Sequence, residues 1–229
     1  MPALNESRIK RFFENQLWHI MILAFLFISF SFIYDFLEVP HGQWLGFTTK
    51  QWFMVAIITP LVHQPYVWLC WRGELYYQAV TRVFGRYGFL VFAIVFFILI
   101  FIRFFSMIGV CVSDYQSLSL SRVIRYPLAF FLHLPGIYAI YSVIRYFGFR
   151  RTPGEDHFKP EEYRSKKFVR QGMYKYTSNV MYAYAGMMFL ALAVFCASKA
   201  GLLISFYMYA TVWTHYFCTE KPDIEYIYK

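Results

Sequence analysis

Charge is what this sequence has least of. Only 15% of its 229 residues are charged, against about 25% in soluble domains, too few to clothe a surface in water. Cysteine is also scarce. Cys70, Cys111, Cys196 and Cys218 stand far apart with no CxxC pair and no metal-ligand spacing, so they read as small apolar side chains and no metal site is expected. Strict apolar–polar alternation is missing, which excludes a transmembrane β-barrel. No small-residue cleavage site follows the first apolar run, whose length also argues against a removed signal peptide. Inverted repeats and paired broken helices are absent as well, which disfavours a transporter. What is present is apolar: 59% hydrophobic and 23% aromatic residues, arranged in blocks. The expected fold is all-α, a polytopic transmembrane helical bundle.

Six blocks approach the ~20 residues needed to cross a bilayer: 17–36, 52–70, 87–107, 126–146, 181–198 and 201–217. We read one membrane domain over residues 1–229. Residues 1–147 form a four-span part assigned to substrate and packing. Residues 148–229 form a polar loop, a tight helical hairpin and a tail. Of the 22 lysines and arginines, 17 fall on the side that holds both termini, whereas Lys50, Arg103, Arg122, Arg125 and Lys199 fall on the other. The positive-inside bias places both termini in the cytoplasm, of a bacterial inner membrane or the endoplasmic reticulum. The net charge of +9 is thereby accounted for by topology and anionic headgroups, and no nucleic-acid partner is expected.

The one long polar stretch, residues 148–179, contains Pro153-Gly154-Glu155-Asp156 and a basic run from Arg164 to Arg170. Two polar elements bracket the last two apolar blocks. Gly172-Met173-Tyr174-Lys175-Tyr176-Thr177-Ser178-Asn179-Val180-Met181-Tyr182 leads into the fifth, and Glu220-Lys221-Pro222-Asp223-Ile224 follows the sixth. A hairpin returns the chain to the face it left, so topology alone brings both elements together. A glutamate at such a helix end can take a proton or bind a cation.

These two elements resemble the signature of the isoprenylcysteine carboxyl methyltransferase and phospholipid N-methyltransferase superfamily of integral membrane enzymes. The likeness lies in Gly172, Tyr174, Tyr176, Asn179, Met181 and Tyr182, then in Glu220, Pro222, Asp223 and Ile224, and covers roughly residues 165–229. Asn179, where other members carry histidine, is closer to the phospholipid branch. Ser178 stands in place of an arginine, Val180 of a proline and Lys221 of a second glutamate. The resemblance implies S-adenosyl-L-methionine as cofactor. Its contacts are expected from Val169, Gly172, Tyr174, Tyr176, Asn179, Val180, Met181, Tyr182, His215 and Glu220, with Asn179 and Glu220 as catalytic residues. Tyrosine faces attract a sulfonium by roughly 0.5–2 kcal/mol each, though each is also an ordinary interfacial anchor.

In the first half, His63-Gln64-Pro65 sits inside an apolar block and Arg72-Gly73-Glu74 ends it. Polar groups within a span face the bundle interior. His63 and Gln64 read either as a packing pair or as substrate contacts. In the substrate reading Arg72 meets a phosphate or carboxylate and Glu74 an amine. The leading expectation is methyl transfer to a lipid or lipid-like acceptor, an aminophospholipid first. An isoprenylated cysteine carboxylate or a hydrophobic thiol is the alternative. The substitutions at Ser178, Val180 and Lys221 keep open a third reading, a non-catalytic membrane scaffold.

Overall fold

A computed structural model describes residues 2–40, 42–166 and 169–228; Lys167 and Lys229, both counted above with the cytoplasmic charges, lie outside the described residues. The chain is nearly all helix. A short helix α1 (Pro2–Phe12) leads into α2 (Gln16–Phe36), and a two-residue antiparallel pair, β1 (Gln43–Trp44) with β2 (Phe47–Thr48), turns the chain into α3 (Thr49–Tyr77). Thr48 starts α3 with a reciprocal cap: its Oγ1 accepts from the Gln51 amide at 3.3 Å and Gln51 Oε1 accepts from the Thr48 amide at 2.8 Å. Pro60 and Pro65 lie within α3 without ending it. After α4 (Ala79–Phe84) come α5 (Gly88–Ser113) and α6 (Arg122–Ser142), the latter continued by a π-helical turn to Phe147. Two short helices, α7 (Glu155–Phe158) and α8 (Pro160–Arg164), lie in the polar stretch. The hairpin α9 (Met187–Cys196) and α10 (Lys199–His215) follows, then a π-helical turn (Tyr216–Glu220) and α11 (Lys221–Ile227).

Among the described residues four helical stretches are long and apolar enough to cross a membrane: Ser7–Phe36, Thr49–Tyr77, Ala79–Ser113 and Arg122–Phe147. The last two expected blocks do fold as a hairpin, but Met181–Cys196 is a shorter apolar helix, about 24 Å at 1.5 Å per residue, and α10 has 17 residues. Helix length and composition thus support four of the six expected spans and leave the hairpin pair unconfirmed as spans, because block hydropathy registers apolarity and not helix length.

The bundle is inside-out in the manner of a membrane protein. Phe25, Ile28 and Phe32 on α2 and Phe130, Phe131 and Ile137 on α6 face outward, where lipid tails take the place of water. The core lies where α3, α5, α9 and α10 meet, with Phe53, Ile57, Met107, Val110, Ile204 and Met208 fully enclosed. At the far end Asp114 clamps the hairpin turn. Its Oδ2 accepts from Ser198 Oγ at 2.7 Å, the Ala200 amide at 2.8 Å and Ser117 Oγ at 2.7 Å. Both ends of the hairpin are thus fixed, the near one by the elements that bracket it.

Candidate active site

The first bracketing element presses against the end of α6. Gly172 has φ +57°, and a Cβ there would lie 2.7 Å from Ser142 Oγ and 2.8 Å from the Tyr146 ring, so only glycine allows the approach. Ser142 Oγ accepts from the Met173 amide at 3.1 Å. Tyr174 is then buried and stacks on Phe147 with ring centroids 5.6 Å apart and planes 7° apart. Val180, where the family carries proline, fills the space beside Ala139, Met173 and Tyr174 and is fully buried. The Asn179 carbonyl accepts from the Ala183 amide at 2.9 Å, opening the turn that leads to α9.

The second element closes from the other side. α11 starts with Pro222 in its first turn, where a missing amide costs nothing. Buried Asp223 accepts from Arg72 Nε at 2.9 Å. Arg72 Nη1 donates to the carbonyls of Arg11, Phe12 and Glu14, and Nη2 to those of Cys218 and Thr219. One guanidinium thus ties the N-terminal segment, α3 and the tail together.

Between the elements is a cavity of about 1100 Å³. Val169, Tyr174, Tyr176, Asn179, Val180, Met181, Tyr182, His215 and Glu220 all line it, as do His63 and Gln64 from α3. Gly172 does not; its part is to let the loop pack. The expected acceptor contacts of Arg72 and Glu74 are not met by their placement. Both lie outside the cavity walls, Arg72 with no exposed surface and Glu74 accepting from the Thr81 amide at 2.9 Å and from its hydroxyl. The polarity that reads as ligand contact is used in tertiary bonds. Lys221, the residue that reverses the motif's charge, also points away. It is exposed and lines a separate surface recess with Arg11 and Glu225.

Several residues at the cavity were not legible as site residues. Trp71 stacks on His157 at 4.1 Å and 19°, and its indole donates to the Pro153 carbonyl at 3.0 Å. Gly154, at φ +90°, lets the loop lie on that indole, since a Cβ would sit 2.5 Å from it. His157 Nδ1 is 3.0 Å from Asp156 Oδ1 and its Nε2 is 3.4 Å from Asp223 Oδ2. Tyr228 donates to Asp156 Oδ2 at 2.9 Å and is itself bonded to Arg151. Polar loop, tail and α3 thus share one buried charge network. Its sequence signal was an Asp-His pair in the single polar stretch.

Burial opposes charge on His157, but the hydrogen bonds and charges of Asp156 and Asp223 outweigh it and push the imidazole up to about 9. Asp156, correspondingly, is held below its ordinary value by His157, Tyr228 and Arg151 despite its burial. Glu220 has a sealed Oε2 with no hydrogen-bond partner among the described residues. Burial first, then the neighbouring Asp156 and Asp223, push its carboxyl up to about 8 against the pull of His157 and Arg151. The Tyr174 hydroxyl is likewise buried without a partner, and burial raises it. A buried carboxyl whose pKa is pushed up to about 8, beside electron-rich rings, is equipped to bind a cation and to move a proton.

Comparison with curated proteins and with solved structures gives no match. Residues 124–229, from the first turn of α6 through both bracketing elements, match the model of the phospholipid methyltransferase family, in agreement with the superfamily of membrane methyltransferases that the two motifs resemble.

Proposed function

We propose that this chain is an S-adenosylmethionine-dependent membrane methyltransferase whose acceptor is a lipid or lipid-like molecule, with an aminophospholipid first among them. The observation that carries this reading is the shared cavity. Both motif elements line it, and Glu220 enters it with a buried, unpartnered carboxyl oxygen. The residues present fit the cofactor. Glu220 answers its sulfonium, Tyr176 and Tyr182 offer ring faces, and the volume is large enough for a nucleoside with an acceptor group beside it.

When bound, S-adenosylmethionine supplies an electrophilic methyl group on a sulfonium. The chain's part is then positioning and proton management. In-line alignment of two bound partners replaces a bimolecular encounter and supplies several kcal/mol. The turn from Tyr174 to Tyr182, anchored through Gly172 and Val180, holds one wall, and the tail from Glu220 to Asp223, anchored by Arg72, holds the opposite one. An ammonium acceptor must lose a proton before its lone pair attacks the methyl carbon. In its ionised form Glu220 takes that proton on Oε2. Trp71 and the loop stacked on it form part of the cavity wall. An isoprenylated carboxylate acceptor needs no such proton transfer, so the role of Glu220 separates the two substrate classes.

The test is methyl transfer from S-[methyl-³H]adenosylmethionine into a total membrane lipid extract by the purified chain. Label in an aminophospholipid, reduced at least a hundredfold in Glu220→Gln, supports the proposal. A parallel reaction offers a prenylated-cysteine peptide: label confined to it moves the acceptor to the carboxylate class, and no label in either reaction leaves the scaffold reading standing.

A further inference from the structure

The cavity has a second polar end, far from Glu220. His63 stands eight residues before Trp71 on α3, and Met208 and Thr211 stand twelve and nine residues before Glu220. At 1.5 Å per residue this end lies about 12–18 Å deeper along the helices. Arg103 enters it from α5. Its Nη2 donates to the Met208 carbonyl at 2.7 Å and to Thr211 Oγ1 at 3.0 Å, while Nε has no partner among the described residues. His63, edge-on to Phe96 at 5.0 Å, has no partner on either ring nitrogen among the described residues. Both side chains are over nine-tenths buried and both line the cavity. Among the described residues no carboxylate lies within ion-pair distance of Arg103.

A guanidinium does not deprotonate in proteins. Placed within a membrane helix without a countercharge, it is costly, and a carbonyl and a hydroxyl do not neutralise it. The groups missing here are acceptors for Arg103 and for a histidine N–H. The surrounding walls, Phe97, Ile100, Phe104 and Phe189, are apolar. An oxyanion attached to hydrocarbon supplies what is absent on both counts.

We infer that Arg103, with His63 beside it, is the seat of an oxyanion, phosphate or carboxylate, carried by an apolar ligand that occupies the deep end of the cavity. Arg103 lies outside the family-matched region, so the seat is specific to the four-span part of this chain. The inference rests on the methyltransferase reading only in taking that ligand to be the acceptor. It defines the acceptor class as a molecule with a negative charge and a long hydrocarbon chain.

The experiment uses the full chain in a neutral maltoside detergent and compares the dissociation constants of dioleoyl phosphatidic acid, oleate and uncharged diolein. At least one anion binds at least tenfold more tightly than diolein, and the preferred one identifies the source as phosphate or carboxylate. Arg103→Met removes the preference, Arg103→Lys keeps most of it, and S-adenosylhomocysteine affinity stays within twofold in both. If Arg103→Met does not fold, His63→Phe decides: it must weaken the preferred anion at least threefold. Equal binding of all three ligands, or a preference that survives these substitutions, overturns the inference. Should the preference hold while S-adenosylhomocysteine fails to bind the wild type, the seat stands and the methyltransferase reading falls. Cofactor binding without the preference does the reverse.

Discussion

Asp223→Ala removes the anion at the centre of the buried network, and its effect is calculable. Asp223 and Arg72 have 1% and 0% of their side chains exposed, at 2.9 Å, and His157 faces the same carboxylate at 3.4 Å. Without Asp223 the buried Arg72 guanidinium loses its carboxylate, a change that typically costs 3–5 kcal/mol, while His157 keeps Asp156 at 3.0 Å. The five carbonyls that accept from Arg72 remain, so we take the lower end, about 3 kcal/mol. A chain of this size loses about 2–4 °C per kcal/mol, giving a fall of about 6–12 °C in the melting temperature of the detergent-solubilised protein. Asp35→Ala is the control. Its ion pair with Lys50 is exposed at 58% and 64% and is worth under about 1 kcal/mol. In a double-mutant cycle, Arg72→Met combined with Asp223→Leu recovers part of the loss, because no charge is then stranded. If Asp223→Ala melts within 2 °C of wild type, the network does not hold loop and tail together.

Gly172→Ala combines a left-handed φ with a Cβ 2.7 Å from Ser142 Oγ; a cost of about 2 kcal/mol, or about 4–8 °C, is expected with a weaker cofactor affinity. Thermal stability should decline with alkaline pH through His157. Its folded value, about 9, lies above the ordinary 6.5, so the contribution is complete below 6.5 and lost as pH rises through 9. Glu220 acts in the same direction but is spent above about 8, so the descent between pH 8 and 9.5 belongs to His157 and flattens in His157→Gln. A melting temperature unchanged between pH 7 and 9.5 would refute this. Trp71→Ala, which removes both the stack on His157 and the bond to Pro153, should lower cofactor affinity at least tenfold by releasing the loop, measured by calorimetry.

The helices and the meeting of the two bracketing elements were legible because both follow from one-dimensional features. An apolar block at 17–36 becomes a helix at Gln16–Phe36, and a hairpin must return its ends to one face. The long-range polar bonds were not legible. Arg72 reads as a ligand contact at a helix end, yet it is fixed by a carboxylate 151 residues away, and no local pattern encodes that pairing. His157 was hidden in a stretch whose charges topology already explained. Arg103 was counted with the charges of the far membrane side although it falls inside the 87–107 block, and α5 buries it. Lys221 looked like a reversed charge at the cofactor because sequence position does not say which way a helix-terminal side chain points.

The most direct test is calorimetric titration of the purified chain with S-adenosylmethionine in buffers of different ionisation enthalpy. A carboxyl that titrates near 8 and answers a cation must ionise on binding. The account therefore predicts release of close to one proton near pH 7 and an affinity that rises roughly tenfold from pH 6.5 to 7.5. Both effects vanish in Glu220→Gln, and proton release is absent with S-adenosylhomocysteine, which lacks the sulfonium. Binding with no proton release and no pH dependence would remove Glu220 from the cofactor site, and no binding at millimolar cofactor would contradict the account as a whole.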